Sequence, residues 1–330
     1  MNKQNIPKKI LHWYDNNKRS LPWRRKSTKK QHEYFTLVSE FMLQQTQVKT
    51  VIPFFIRFIK KFPSLKSLAG ADESEVLKYW EGLGYYSRAK NLKKTATKLL
   101  LEHRGSLPKD IEKLKALPGI GEYTSRSILS IAHNQPYIPM DGNVERILKR
   151  IFLLKNKDQI SKKNLIEKKT FFSISKRSSD YAQAIMEIGA LICRPILPIC
   201  TSCPLINYCK AYKKRDFVIT TKNKVNKTKY FEANVYKHKN KYLLIKNKKF
   251  NFLKNLVIFP MNEIKKEKFQ LSIDKKINVK LSNMNMKIII NKNNKKKIIK
   301  NSLLLDKSNF SKFILPSFTK KILNSLPRFE

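Results

Sequence analysis

The sequence predicts a mostly α-helical region over residues 1–212, a basic linker over 213–229 and a smaller α+β domain over 230–330. Three observations carry this reading. Apolar residues recur at three- and four-residue spacing through the first region. All eight glycines lie there, the last being Gly189. Past Lys229 the texture changes to short β-favouring runs. A chain of 330 residues is long enough to bury two cores.

In chain order, the helical spacing is read in Phe35–Val48, Ile52–Phe62, Ala89–Leu101, Ile111–Leu117, Thr124–Ala132, Val144–Phe152 and Tyr181–Ile192. Glycines punctuate these segments at Gly82–Gly84 and at Leu117–Gly121. The β-favouring runs are Tyr230–Tyr236, Tyr242–Ile245, Leu256–Phe259, Ile277–Leu281 and Met286–Ile290. Asn291–Lys300, almost all Asn, Lys and Ile, reads as a solvated loop, and Ser317–Leu326 as a final amphipathic helix.

Charge is the strongest compositional signal. A formal net charge of +46 suits a polyanionic partner, most simply nucleic acid. Heavy use of Lys, Asn and Ile throughout is also what A+T-rich codons produce, so charge does not name the partner. Met1–Leu11 is polar and carries no apolar run of signal-peptide or membrane length. A cytoplasmic protein, associated with the nucleoid through DNA and not with membrane, is the expectation.

The four cysteines of the chain are Cys193, Cys200, Cys203 and Cys209, a C-x6-C-x2-C-x5-C run. Thiolates so crowded need a shared cation. Pro195, Pro198 and Pro204 exclude a regular helix there. Spacing alone leaves zinc and an iron–sulfur cluster both open.

Leu117-Pro118-Gly119-Ile120-Gly121, between two helical patterns, reads as a helix–hairpin–helix, with Gly119 and Gly121 presenting backbone N–H groups to a phosphate. Glu40 is the one charge in Tyr34–Val48. A carboxyl in so apolar a helix should have a raised pKa, which suits a general acid. Asp141-Gly142-Asn143 opens the next helix, and capping by Asn143 leaves Asp141 free to face a substrate. Gly82–Arg88 sets aromatics beside a basic residue, for core packing or for stacking into DNA. The five histidines form no metal pattern and no triad.

Together SEFMLQQTQV, GLGYYSRA, LPGIGEYTS, MDGNVERIL, MEIGALIC and the cysteine run resemble the adenine DNA glycosylases of the MutY type. These belong to the helix–hairpin–helix, iron–sulfur glycosylase superfamily. The likeness spans Ile10–Tyr212 and continues weakly beyond it. It implies a helix–hairpin–helix DNA glycosylase fold, a [4Fe–4S] cluster on the four cysteines, and a diverged Nudix-like C-terminal domain. It also implies a monomeric, monofunctional enzyme acting on double-stranded DNA with adenine mispaired with 8-oxoguanine or guanine.

By the same resemblance Glu40 protonates the base, Asp141 stabilises the sugar cation, and Tyr123 and Asn143 orient them. Arg19, Arg24 and Gln183 match adenine-pocket positions. Gln45 and Tyr85 match residues that intercalate beside the opposing base, and Ser282 matches part of the element that reads 8-oxoguanine. Two alternatives are weighed. An endonuclease III-like lyase needs a lysine two positions after the second hairpin glycine, where this chain has Tyr123. A non-catalytic iron–sulfur DNA-binding protein has no need of both Glu40 and Asp141. Residues inserted around Lys26–Gln31 predict a displaced Arg24, and no Nudix catalytic box is present.

Overall fold

Helix α1 (Ile6–Asn17) shows how these segments fold: it has a proline in its first turn and buries Ile6, Ile10, Trp13 and Tyr14 on one face. Each such burial contributes about 2 kcal/mol. The computed structural model describes residues 5–155, 161–172, 174–217, 227–281, 284–293 and 302–326. It divides into two units, Met1–Glu73 with Ser87–Thr221, and Ser74–Tyr86 with Lys222–Glu330.

The first unit is helical. After α1 come α2 (Lys29–Leu43), α3 (Val48–Lys61) and α4 (Leu65–Gly70), while α5 (Glu73–Trp80) runs on into the second unit. Then follow α6 (Ser87–Glu102), α7 (Ile111–Lys115), α8 (Glu122–His133), α9 (Gly142–Phe152), α10 (Lys162–Lys168), α11 (Ser178–Glu187) and α12 (Lys210–Lys213). Helix α2 packs on α8 and α1 on α11, and Ile10, Tyr14, Leu148, Phe172 and Ile185 share one core.

Two helices differ from the sequence reading. Phe35–Val48 is not continuous, because α2 stops at Leu43 and Gln45 takes a left-handed φ of 56° before α3 begins. Tyr181–Ile192 is α-helical only to Glu187, and Ile188–Ile192 widens into a π-helical turn.

The second unit is a mixed sheet of β1 (Lys227–His238), β2 (Lys241–Lys246), β3 (Val257–Ile258), β4 (Met261–Ile264), β5 (Lys276–Leu281), β6 (Met284–Asn293) and β7 (Ser302–Asp306), with α13 (Lys266–Leu271) and α14 (Ser317–Ser325). The order is β3-β2-β1-β6-β5, with β4 also on β1 and β7 on β2. Strands β1 and β6 pair in parallel with Phe231 opposite Ile288, and both side chains join Phe259, Phe318 and Ile322 in the core. The expected loop Asn291–Lys300 is strand as far as Asn293, because β1 offers Asn234, Val235 and Tyr236 as partners. Residues 294–300 lie outside the described set. Ser74–Tyr86 groups with this unit through Glu81, whose carboxylate accepts the Leu315 N–H at 3.1 Å and meets Lys320 at 2.9 Å. No helix among the described residues is long and apolar enough to cross a membrane.

Candidate active site and cysteine loop

A cavity of ≈ 670 Å³ opens in the helical unit. Its lining includes eight residues singled out from sequence, Arg19, Arg24, Glu40, Gln45, Tyr123, Asp141, Asn143 and Gln183. Glu40 comes from the last turn of α2, which ends where the buried Arg88 guanidinium donates to the carbonyls of Phe41, Met42 and Gln44 at 3.2, 2.7 and 2.6 Å. The basic residue of the Gly82–Arg88 motif is therefore a helix cap in this unit, not a group turned to DNA. Its partner turn carries the exposed, left-handed Gln45. Tyr85 lies in the second unit, exposed and also left-handed, with φ of 47°. Such backbone in a non-glycine residue is costly and concentrates at functional sites.

The two carboxyls of the cavity are held differently. Glu40 is buried, and burial pushes its pKa up to about 7; the Ser127 hydroxyl opposes this, the Asp141 charge adds to it, and Arg24 opposes it. Asp141, not Asn143, is the N-cap of α9, which corrects the capping expected from sequence. Asp141 Oδ1 accepts from the N–H groups of Asn143 and Val144 at 2.9 and 2.7 Å. Its Oδ2 accepts from Asn143 Nδ2 at 2.8 Å. Burial is the larger effect and raises its pKa, and these three donors oppose the rise. Three donors favour the ionised form of Asp141, whereas burial favours the protonated form of Glu40. Tyr123, on α8, is raised well above the usual phenol range, first by burial and then by Glu40 and Asp141. It stays a neutral donor, its hydroxyl 3.5 Å from Met186 Sδ.

Arg24 does reach the cavity despite the insertion, because α2 begins at a Thr28–Gln31 capping box that takes up the added residues outside the wall. It pairs with Glu187, whose carboxylate also accepts the Arg19 N–H at 3.2 Å and meets Arg19 Nε at 3.4 Å. Glu187, 1% exposed, was missed from sequence, although it is the lone charge of MEIGALIC much as Glu40 is of its own run. Gln183 is buried one turn before it and donates to the Ser179 carbonyl at 3.2 Å.

The hairpin forms between α7 and α8. Gly119 has φ of 80°, and a Cβ there would lie 2.8 Å from Asn91 Cβ and 2.9 Å from Phe41 Cε1. Gly121 caps α8 with no side-chain oxygen to occupy the first N–H groups. Glu122 beside it is held by Arg126 at 2.6 Å and Lys115 at 3.5 Å.

The cysteine loop is closed on α9. The buried Arg150 donates to the carbonyls of Arg194 and Pro195 at 2.6 and 2.9 Å and to Cys193 Sγ at 3.4 Å. Arg146 bridges the Cys193 carbonyl at 2.7 Å and Asn143 Oδ1 at 2.6 Å. Burial raises the Cys200, Cys203 and Cys209 thiols, Cys203 to about 12, and the sulfurs raise one another further. Thiols raised in this way ionise readily only where a cation takes up the charge. No group of three or more His, Cys, Asp or Glu among the described residues is gathered for a single metal ion. Ser282 lies outside the described residues.

Comparison with known proteins follows the same lines. Residues 38–170 match the HhH-GPD superfamily base excision DNA repair protein model. The chain is 37% identical over 285 residues to adenine DNA glycosylase of Buchnera aphidicola subsp. Baizongia pistaciae (strain Bp), covering 84% of this chain and 79% of that one. It is 40% identical over 215 residues to adenine DNA glycosylase of Homo sapiens, covering 62% and 39%. Among solved structures, a thermostable thymine-DNA glycosylase aligns with a TM-score of 0.55 at 24% identity, over 64% of this chain and 97% of its own, a likeness of fold.

Proposed function

The chain belongs to the adenine DNA glycosylase family of helix–hairpin–helix base excision repair proteins, and on that premise we propose that it excises adenine mispaired with 8-oxoguanine or guanine in duplex DNA. It does so as a monofunctional DNA glycosylase. The observation that supports this most is the pairing, in one cavity, of a buried Glu40 whose pKa burial raises to about 7 with an Asp141 whose carboxyl accepts three hydrogen bonds.

The chemistry follows from those two groups. Adenine must leave the stack to be reached, and it is a poor leaving group until protonated. Glu40 gives its proton to a ring nitrogen of the base, the C1′–N bond breaks, and the bonding pair leaves with adenine. Asp141 faces the sugar cation that remains, held in place by the Asn143 and Val144 donors. Water then adds to C1′, and the Glu40 carboxylate takes up its proton. Tyr123 and Asn143 orient the two carboxyls, Arg19, Arg24 and Gln183 hold the base, and Glu187 keeps the arginines in place. No lysine stands where a lyase would form its Schiff base, since Tyr123 occupies the position.

Cys193, Cys200, Cys203 and Cys209 fit a [4Fe–4S] cluster and would hold it. When bound, such a cluster neutralises the thiolates and stiffens a loop for DNA binding. Gly119 and Gly121 would grip a phosphate. Gln45 and Tyr85 would intercalate, and the sheet unit, as a diverged Nudix-like domain, would read 8-oxoguanine through Ser282. The enzyme would act as a monomer.

The test is release of free base from duplexes holding A opposite G, A opposite 8-oxoguanine, or an oxidised pyrimidine. Adenine release from the first two alone is the expected result. Pyrimidine release would replace this reading with an endonuclease III-like one.

A further inference from the structure

Ser127 has no place in the roles given so far. It sits one turn along α8 from Tyr123, on the face packed against α2, and is fully buried. Its hydroxyl oxygen completes no hydrogen bond. The groups within its reach across the α2–α8 packing are the Glu40 carboxyl and the Tyr123 hydroxyl, and as a hydrogen-bonding neighbour it lowers the pKa of each without completing a hydrogen bond to either. Buried hydroxyls are rarely left so, because an unmade hydrogen bond costs about 1–3 kcal/mol. Its neighbour Ser130, equally buried, takes the ordinary course and donates to the Ser127 carbonyl at 3.4 Å.

We propose that Ser127 is a positioning residue of the excision reaction: its uncommitted hydroxyl turns to donate to the Glu40 carboxylate once that carboxyl has given up its proton. This rests on the assignment of Glu40 as the acid. The need is physical. After proton transfer a carboxylate stands in a buried site, and the groups facing it are few. From α8 come Ser127 and Tyr123, from the N-cap of α9 the like-charged Asp141, and from the wall before α2 Arg24. Arg24 and Arg19 are already paired with Glu187 on α11. His32, on α2 itself, shares a hydrogen bond with the Ile131 carbonyl at 3.1 Å. Tyr123 has its hydroxyl against Met186 Sδ at 3.5 Å, which leaves Ser127 as the donor with no completed hydrogen bond.

The experiment compares Ser127→Ala, Ser127→Thr and the control Ser130→Ala in the intact protein. The Glu40 carboxyl is titrated by ¹³C-glutamate NMR, its resonance identified by loss in Glu40→Gln, and the pH profile of single-turnover adenine release is recorded alongside. Ser127→Ala should raise the Glu40 midpoint by about one pH unit, as expected for losing one hydrogen bond to a charged group. The alkaline limb of the profile should move up with it, and the plateau should fall several-fold. Ser127→Thr should restore both, and Ser130→Ala should move neither. A midpoint unchanged in Ser127→Ala overturns the inference, as does an equal shift in Ser130→Ala. A shifted midpoint in a protein that releases no adenine would uphold Ser127 and reject the proposed function.

Discussion

The two units bury different things. Among its described residues the helical unit buries five acidic or basic side chains, Glu33, Glu40, Arg88, Arg150 and Glu187. Among the described residues of the sheet unit the buried polar side chains are Asn247 and Thr319, neither acidic nor basic. A buried charge is expensive unless paired. Four of the five are committed in that way. Glu33 accepts the Leu107 N–H at 3.0 Å, Arg88 and Arg150 bond to carbonyls, and Glu187 lies between two arginines. For Glu40 burial instead raises the pKa to about 7. The contrast teaches that reactivity is to be sought where burial is left electrostatically unsettled, which among the described residues is in the helical unit.

That contrast can be broken most strongly at Asp141. Asp141→Asn keeps the shape of the helix cap but removes the anion, so adenine release should fall about 100-fold or more in single-turnover assays while DNA affinity changes little. A fall confined to affinity would make Asp141 a cap alone. Stability supplies the second test. The folded pKa of Glu40, about 7, lies above the ordinary 4.5, so its favourable contribution is complete at low pH and is lost as pH rises through about 7. Glu40→Gln stays neutral and should therefore raise Tm by a few degrees at pH 8 and leave it unchanged near pH 5 (about 2–4 °C per kcal/mol for a chain of this size). Equal effects at both pH values would mean that Glu40 is not held neutral by the fold.

Smaller effects sharpen the comparison. Cys203→Ser should lose the broad visible absorbance of an iron–sulfur protein and weaken duplex binding about tenfold, with adenine release at saturating enzyme less affected. Unchanged spectra and affinity would remove the cluster from the account. Ser282→Ala should narrow the preference for A opposite 8-oxoguanine over A opposite G by only a few-fold, in the range of one lost hydrogen bond. An equal loss on both duplexes would deny the sheet unit a part in reading the oxidised base.

Much of the candidate site was legible because its residues break a local pattern. Glu40 is a charge in an apolar run, LPGIG needs backbone freedom at Gly119, and four cysteines crowd one loop. Residues whose role arises only in three dimensions were not legible. The Gly82–Arg88 motif read equally as core packing or as a DNA probe, and Arg88 is a buried cap on α2, a role hidden in the sequence because the carbonyls it meets lie more than forty positions away. Ser127 is an ordinary helix serine until α2 brings Glu40 against it. The break after Leu43 was hidden by apolar periodicity that runs on through Val48, and a left-handed glutamine is not signalled by composition. In the sheet unit β4 and β7 escaped notice because short strands take their order from pairing rather than propensity.

The most direct test of the central claim is single-turnover incubation of the protein and of Glu40→Gln with a duplex holding one A:8-oxoguanine pair, with and without alkali before strand separation. The account predicts a nick at the adenine that appears only after alkali with the unaltered protein, and falls by about a thousandfold with Glu40→Gln although the duplex is still bound. Nicking without alkali, or full activity in Glu40→Gln, would contradict it.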